Sequence, residues 1–222
     1  MEKSILTAQL EDALEKNICP ICYLTNDSEY SYLDSFLYER VNDGPTRAEL
    51  RKSKGFCKYH SYRLIEVGKK EASGVNLGIA IVYKDLISSV SKELELADRK
   101  KIRDKDKYIG MNCPACRIIE KTEKTYIEKI SEYISDEDLK EKYLQSRGLC
   151  MNHFYKTYDC IVKEEARKFL KEDQLKRLQL ISQELTEYIR KQDYRFKDTP
   201  LGNEIDSWLR AIQCYAGVLK KS

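Results

Sequence analysis

The sequence predicts an all-α, internally duplicated protein with two Cys3His metal sites, and three observations predict it. Only 4 Pro and 9 Gly occur in 222 residues, with 41% hydrophobic and 35% charged side chains. That balance suits long polar helices that each bury one face. Apolar positions recur at spacings of three and four, the period of a half-buried helix. The third observation is a repeat. Cys19, Pro20 and Cys22 are answered by Gly55, Phe56, Cys57 and His60, and Cys113, Pro114 and Cys116 by Gly148, Leu149, Cys150 and His153. The spacings are C-x2-C-x34-C-x2-H and C-x2-C-x33-C-x2-H. The expected organisation is a first repeat over 1–104, a second over 105–193, and a C-terminal Trp-containing helix over 194–222 packed on the core.

Residues 2–17 place Leu6, Leu10, Ala13 and Leu14 on one face of a lead-in helix. Pro20 then fixes φ near the value of a first helical residue, so the first cysteine pair sits at a bend. Tyr30, Leu33, Leu37 and Val41 mark a helix from Tyr23 to about Asn42, ended by Asn42, Asp43, Gly44 and Pro45. Thr46 with Glu49 reads as a capping box opening a short helix that stops near Gly55. A helix from His60 reaches about Val67, a Gly- and Ser-containing loop covers Gly68–Gly78, and a long helix runs from about Leu77 to Asp104. The second copy repeats this order: a helix from Cys116 to about Ile134 buries Ile119, Tyr126, Ile130 and Tyr133, and Ser135 with Asp138 caps the next, which ends at Gly148. Further helices are expected to about Lys171 and over Gln174–Lys191. A loop at 198–202 precedes an amphipathic helix over 203–219 carrying Ile205, Trp208, Leu209, Ile212 and Tyr215, which either closes over the core or holds a partner.

Each C-x2-C-x33/34-C-x2-H unit supplies three thiolates and one imidazole, a complete tetrahedral set for zinc, and is read as closing on itself. The metal ligands are therefore Cys19, Cys22, Cys57 and His60 in one site and Cys113, Cys116, Cys150 and His153 in the other. Both histidines of the chain lie three residues after a cysteine, a coincidence that scattered residues do not produce. A closed set leaves no position for water or substrate, which favours a structural role for two zinc ions per chain. Three cysteines and one histidine also hold some iron–sulfur clusters, so an iron–sulfur redox or sulfur-handling protein is the alternative. Cys160 and Cys214 fall outside both units and read as small buried apolar side chains, with a redox role left open.

The formal charge of +3 falls to about +1 once six thiolates and two dications are counted. Basic and acidic residues alternate along the helices, so a zinc-stabilised nucleic-acid-binding regulator is only a second alternative, and a protein partner is preferred. No apolar run approaches the roughly 20 residues a membrane span needs, and the N-terminus lacks the apolar core of an export signal. A cytoplasmic protein without membrane contact is expected. With both histidines assigned to metal, no imidazole is left for a catalytic triad, and neither a Gly-rich phosphate loop nor HExxH occurs, so no catalytic residues are assigned.

These motifs resemble a bacterial and archaeal family of unknown function with duplicated CPxC and G-[FL]-C-x2-H units. Cys19, Cys22, Gly55, Phe56, Cys57 and His60 match the first set, and Cys113, Cys116, Gly148, Leu149, Cys150 and His153 the second. The stretch from Asp206 to Ile212 is similar to a tryptophan-centred segment of that family. The resemblance implies metal binding and no particular reaction.

Overall fold

The computed structural model describes residues 4–69, 75–97, 109–196 and 198–219, and among them every regular element is helical. Ten α-helices follow in order: α1 Ile5–Leu14, α2 Pro20–Ser35, α3 Gly44–Ser53, α4 Lys58–Lys69, α5 Val75–Ala97, α6 Pro114–Ile134, α7 Glu137–Gln145, α8 Met151–Cys160, α9 Glu164–Lys191 and α10 Ser207–Ala216. A π turn over Phe36–Arg40 extends α2, and short 3-10 turns lie at Tyr194–Phe196 and Asn203–Asp206. No helix among the described residues is long and apolar enough to cross a membrane.

The chain forms two compact units that cut across the sequence repeat. Among the described residues, one gathers the chain up to Thr25 with the stretch from Glu123 to Leu219; the other lies within Asn26–Thr122. The divisions fall inside α2 and α6, so each of these helices gives its first turns to one unit and the remainder to the other. In the first unit, Leu10, Ala13 and Leu14 of α1 pack with Ile21, Ile130, Tyr133, Ile134, Tyr143 and Leu170. The second unit closes on Leu33, Phe36, Leu50, Phe56, Leu64 and Val82, with Phe36 and Phe56 edge to face at 5.1 Å. The apolar positions expected on α1, α2 and α6 are largely those that pack, because burial follows the 3.6-residue period.

Several boundaries differ from the sequence reading. The cap of α3 is Asp43, whose carboxylate accepts from the Thr46 amide at 2.8 Å, rather than Thr46. Asp is the better acceptor, and it leaves Gly44 and Pro45 in the first turn, where a missing proline N–H costs nothing. Gly78 lies inside α5 and not in a loop; residues 70–74 of the expected loop, the 98–104 end of the expected long helix, and the Asp138 side chain of the second capping box fall outside the described residues. The Ser135 hydroxyl donates to the Ser131 carbonyl at 2.8 Å. Beyond α8 the chain breaks at Ile161–Lys163, and α9 then runs unbroken through Lys171–Gln174. Asp173 is held in the helix by Arg177 at 2.6 Å, and the same guanidinium donates to the Ser146 and Leu144 carbonyls at the end of α7. A cation on those terminal acceptors satisfies groups that a helix end leaves open.

α10 packs on α8 and α9 in the first unit, while its large apolar side chains stay exposed. Ser207 is buried and Arg210 is paired with Glu184 at 2.5 Å, whereas Trp208 is 50% exposed, Ile212 56% and Tyr215 75%. Ile130 is fully buried. Ile130→Ala is expected to lower stability by about 2–5 kcal/mol, the usual cost of truncating a buried isoleucine, measured as a lower urea midpoint with an unchanged slope.

Candidate metal centre

Four helices begin on a cysteine. The carbonyls of Cys19, Cys57, Cys113 and Cys150 accept from the amides of Tyr23, Ser61, Arg117 and Phe154 at 3.0, 2.9, 3.2 and 2.7 Å, the first intrahelical bond in each case. Each cysteine is thus an N-cap, and Cys22, His60, Cys116 and His153 stand at the third helical position of α2, α4, α6 and α8. Side chains at these two positions face each other, which is the geometry that a capping box uses and that here brings two ligands together. Pro20 and Pro114 occupy the first helical position of α2 and α6. Gly55 and Gly148, at φ +97° and +70°, make the left-handed turns that lead into Cys57 and Cys150.

The clusters are paired crosswise. Cys19 and Cys22 meet Cys150 and His153 (cluster I, in the first unit), while Cys57 and His60 meet Cys113 and Cys116 (cluster II, in the second), with all ligand atoms of a cluster within 4.8 Å. This corrects the reading of each C-x2-C-x33/34-C-x2-H unit as self-contained. Spacing alone identifies the ligand pairs; it carries no information on which C-x2-H closes which C-x2-C, since both combinations offer three sulfurs and one imidazole.

The two clusters share one metric. In cluster I, Cys22 and Cys150 Sγ are 3.8 Å apart, and His153 Nδ1 lies 3.4, 3.4 and 3.2 Å from Cys19, Cys22 and Cys150. In cluster II, Cys57 and Cys116 Sγ are 3.8 Å apart, and His60 Nδ1 lies 3.5, 3.4 and 3.2 Å from Cys113, Cys116 and Cys57. A tetrahedral ion with Zn–S near 2.3 Å and Zn–N near 2.0–2.1 Å has edges of about 3.8 Å between sulfurs and about 3.5 Å from sulfur to nitrogen. The residues present fit such an ion.

Electrostatics point the same way. In cluster II, burial raises Cys113, but hydrogen bonds from His60 and from backbone amides outweigh it and hold the thiol down to about 6. Cys116 is pushed up to about 12 by burial and by the neighbouring Cys113. In cluster I, burial and the adjacent thiols raise Cys19, while hydrogen bonds from Cys19 and Cys22 lower Cys150. Three thiols this close share their ionisation unevenly, and a divalent cation is the charge that makes all three thiolates favourable. The positive ends of two helix dipoles at each cluster act in the same direction.

Behind each histidine stands a carboxylate that the sequence reading missed. His153 Nε2 donates to Glu123 Oε1 at 3.0 Å, and Glu123 also accepts from Lys156 at 2.6 Å. His60 Nε2 faces Glu29 Oε1 at 3.2 Å, and Glu29 Oε2 accepts from Arg63 at 3.1 Å. Burial raises the Glu29 carboxyl, but His60 and Arg63 overcome it and keep the group below its ordinary range. A carboxylate on the outer nitrogen fixes tautomer and ring orientation and leaves Nδ1 as the ligand atom. The signal lay in the repeat: each glutamate is ten residues after the first cysteine of its CPxC, and each cation three residues after its histidine. Cys160 is exposed rather than buried, and Cys214 is half-buried.

A family model described as "Family of unknown function (DUF6062)" matches residues 1–222. The chain is also 28% identical over 204 residues to an "Uncharacterized 23.9 kDa protein in xynA 3'region" of Caldicellulosiruptor sp. (strain Rt8B.4), covering 90% of this chain and 95% of that protein. No solved structure matches.

The crosswise arrangement makes a discriminating prediction. In Cys150→Ser, alkylation followed by peptide mass spectrometry is expected to find Cys19 and Cys22 newly reactive while Cys113 and Cys116 stay as protected as in the parent. Pairing within each repeat would give the reverse.

Proposed function

The chain belongs to the DUF6062 family, whose function is unknown, and from that premise we propose a zinc-binding helical protein in which two structural Cys3His centres brace an interaction module. The observation that carries this reading is metric: in each set, Cys19, Cys22, Cys150 and His153 or Cys57, His60, Cys113 and Cys116, one sulfur–sulfur and three sulfur–nitrogen separations match the edges of a single tetrahedron with the ligand atoms at its corners. A cluster of two or four irons would hold its cysteines on different irons and spread the sulfurs more widely, so the compactness of each set supports one ion over an iron–sulfur cluster. Four protein ligands fill a tetrahedron, which supports a structural rather than a hydrolytic role.

The matched C-P-x-C-x6-E and G-[FL]-C-x2-H-x2-[KR] spacings support internal duplication. Support for an interaction role comes from α10, which turns Trp208, Ile212 and Tyr215 outward on one face. We place the protein in the cytoplasm, where thiols stay reduced and available to metal.

Elemental analysis of the purified, untagged protein, taken with its visible spectrum, is expected to give about two zinc per chain and no colour. Iron with acid-labile sulfide and visible absorption would overturn the reading in favour of electron or sulfur transfer. In chelator competition titrations, Glu29→Gln is expected to weaken one of the two zinc sites by about 10–100-fold, the usual effect of losing a partner behind a ligating histidine, leaving the other at its parental affinity.

A further inference from the structure

The two clusters are built alike but are not closed alike. In both, one edge of the tetrahedron joins the N-cap cysteine of the C-x2-H helix to the third-position cysteine of the CPxC helix: Cys57 to Cys116 in cluster II and Cys150 to Cys22 in cluster I, 3.8 Å in each. In cluster II both cysteines of that edge are part-exposed, while Cys113 and His60 are buried. In cluster I all four ligands are buried. The difference has a local cause. Gly217, which follows α10, lies over the Cys22–Cys150 edge, so that a Cβ built on it would stand 3.1 Å from Cys22 Sγ and 3.4 Å from Cys150 Sγ. Its φ of +88° and ψ of −173° are open to glycine alone, and its amide is tied to the Gln213 carbonyl at 3.1 Å. Val218 then packs against the core of the same unit. The segment that places Gly217 there, from Tyr194 onward, departs from the sequence repeat.

We infer that the two centres have different work: cluster I is a sealed structural lock closed by the C-terminal segment, and cluster II is an exchangeable site that gives up its ion, or offers its thiolates, to soft electrophiles and competing thiol or nitrogen ligands through the Cys57–Cys116 edge. The inference rests on the zinc reading above. Exchange of a four-coordinate ion needs an incoming ligand to reach the ion as a thiolate leaves, and a solvent-facing edge permits that approach while backbone laid across two sulfurs prevents it.

The test mixes the zinc-loaded full-length protein with excess 4-(2-pyridylazo)resorcinol and follows zinc transfer by absorbance, with samples taken for alkylation by N-ethylmaleimide and peptide mass spectrometry. The expected result is two phases of one zinc equivalent each, separated at least tenfold in rate, with Cys57 and Cys116 labelled during the first and Cys19, Cys22 and Cys150 only during the second. Gly217→Ala, which strains the backbone at this positive φ and crowds a methyl group against Cys22 Sγ, is expected to speed the second phase at least fivefold and leave the first unchanged. Two zinc equivalents leaving in a single phase, or cluster I cysteines labelled first, would overturn the inference while leaving the zinc reading intact. A protein that carries no zinc and takes none up would overturn the zinc reading and the inference with it.

Discussion

The structure depends on what the first turn of a helix does with two side chains. An N-cap and the third helical residue point toward each other and toward unpaired amides, a place that ordinarily holds a serine or aspartate and a glutamate. In four helices of this chain the positions hold a cysteine with a second cysteine or a histidine. The pairs then converge two by two, so each cluster draws on two positive helix ends and four soft donors from segments far apart in sequence. Helix starts, loop directions and the composition of both cores follow from that requirement. Leu149 and Phe56, each beside a ligand cysteine, are buried in the core of the unit that holds that ligand.

The carboxylates behind the histidines set the charge around each cluster. Three thiolates with a dication would carry one net negative charge and Glu29 or Glu123 would add another, which Arg63 and Lys156, three residues after each histidine, would compensate. Their surroundings differ. Glu29 and Arg63 have side chains 4% and 5% exposed, whereas Lys156 is 52% exposed. A buried, hydrogen-bonded ion pair is costly to break because either partner alone would be a stranded charge. The His60 side is thus the more deeply buried of the two, while the His153 ring makes the shorter contact to its carboxylate, 3.0 Å against 3.2 Å.

Much of this was legible in the sequence. Helical periodicity located part of the core, Leu10, Ala13, Leu14, Leu33, Val41, Tyr126, Ile130 and Tyr133 among it, and the cysteine and histidine spacings named the eight residues that gather in the two clusters. Three features escaped for physical reasons. The partner of each ligand pair is a matter of tertiary topology, and two chemically identical pairs offer nothing local to choose between them. The break at Ile161–Lys163 carries no Gly or Pro, while the continuous stretch through Asp173 and Gln174 looks like a boundary until Arg177 is seen to hold it. The outward apolar face of α10 inverts the rule that apolar stripes face the core, because Arg210, paired with Glu184, and Cys214, 4.0 Å from Gln174, occupy the side that meets α9. Glu29 and Glu123 were available by comparing the residues at equal offset from the two CPxC motifs, a comparison that hydropathy does not prompt.

The crosswise pairing nests one closed loop inside another, and nesting imposes an order on birth. A chain emerging from the ribosome has released every ligand of cluster II once Cys116 is free, while Cys150 and His153 are still to be made. The inner loop can close early. Once Cys57 is held beside Cys116, the path from Cys22 to Cys150 no longer runs through all 127 positions between them but through two spans of 34 and 33 residues, about half the contour. Halving a loop lowers its closure entropy by about 0.6 kcal/mol, so the centre made first eases formation of the second. On the proposed zinc reading, cluster II would be filled before cluster I, and Gly217 would settle over the Cys22–Cys150 edge last.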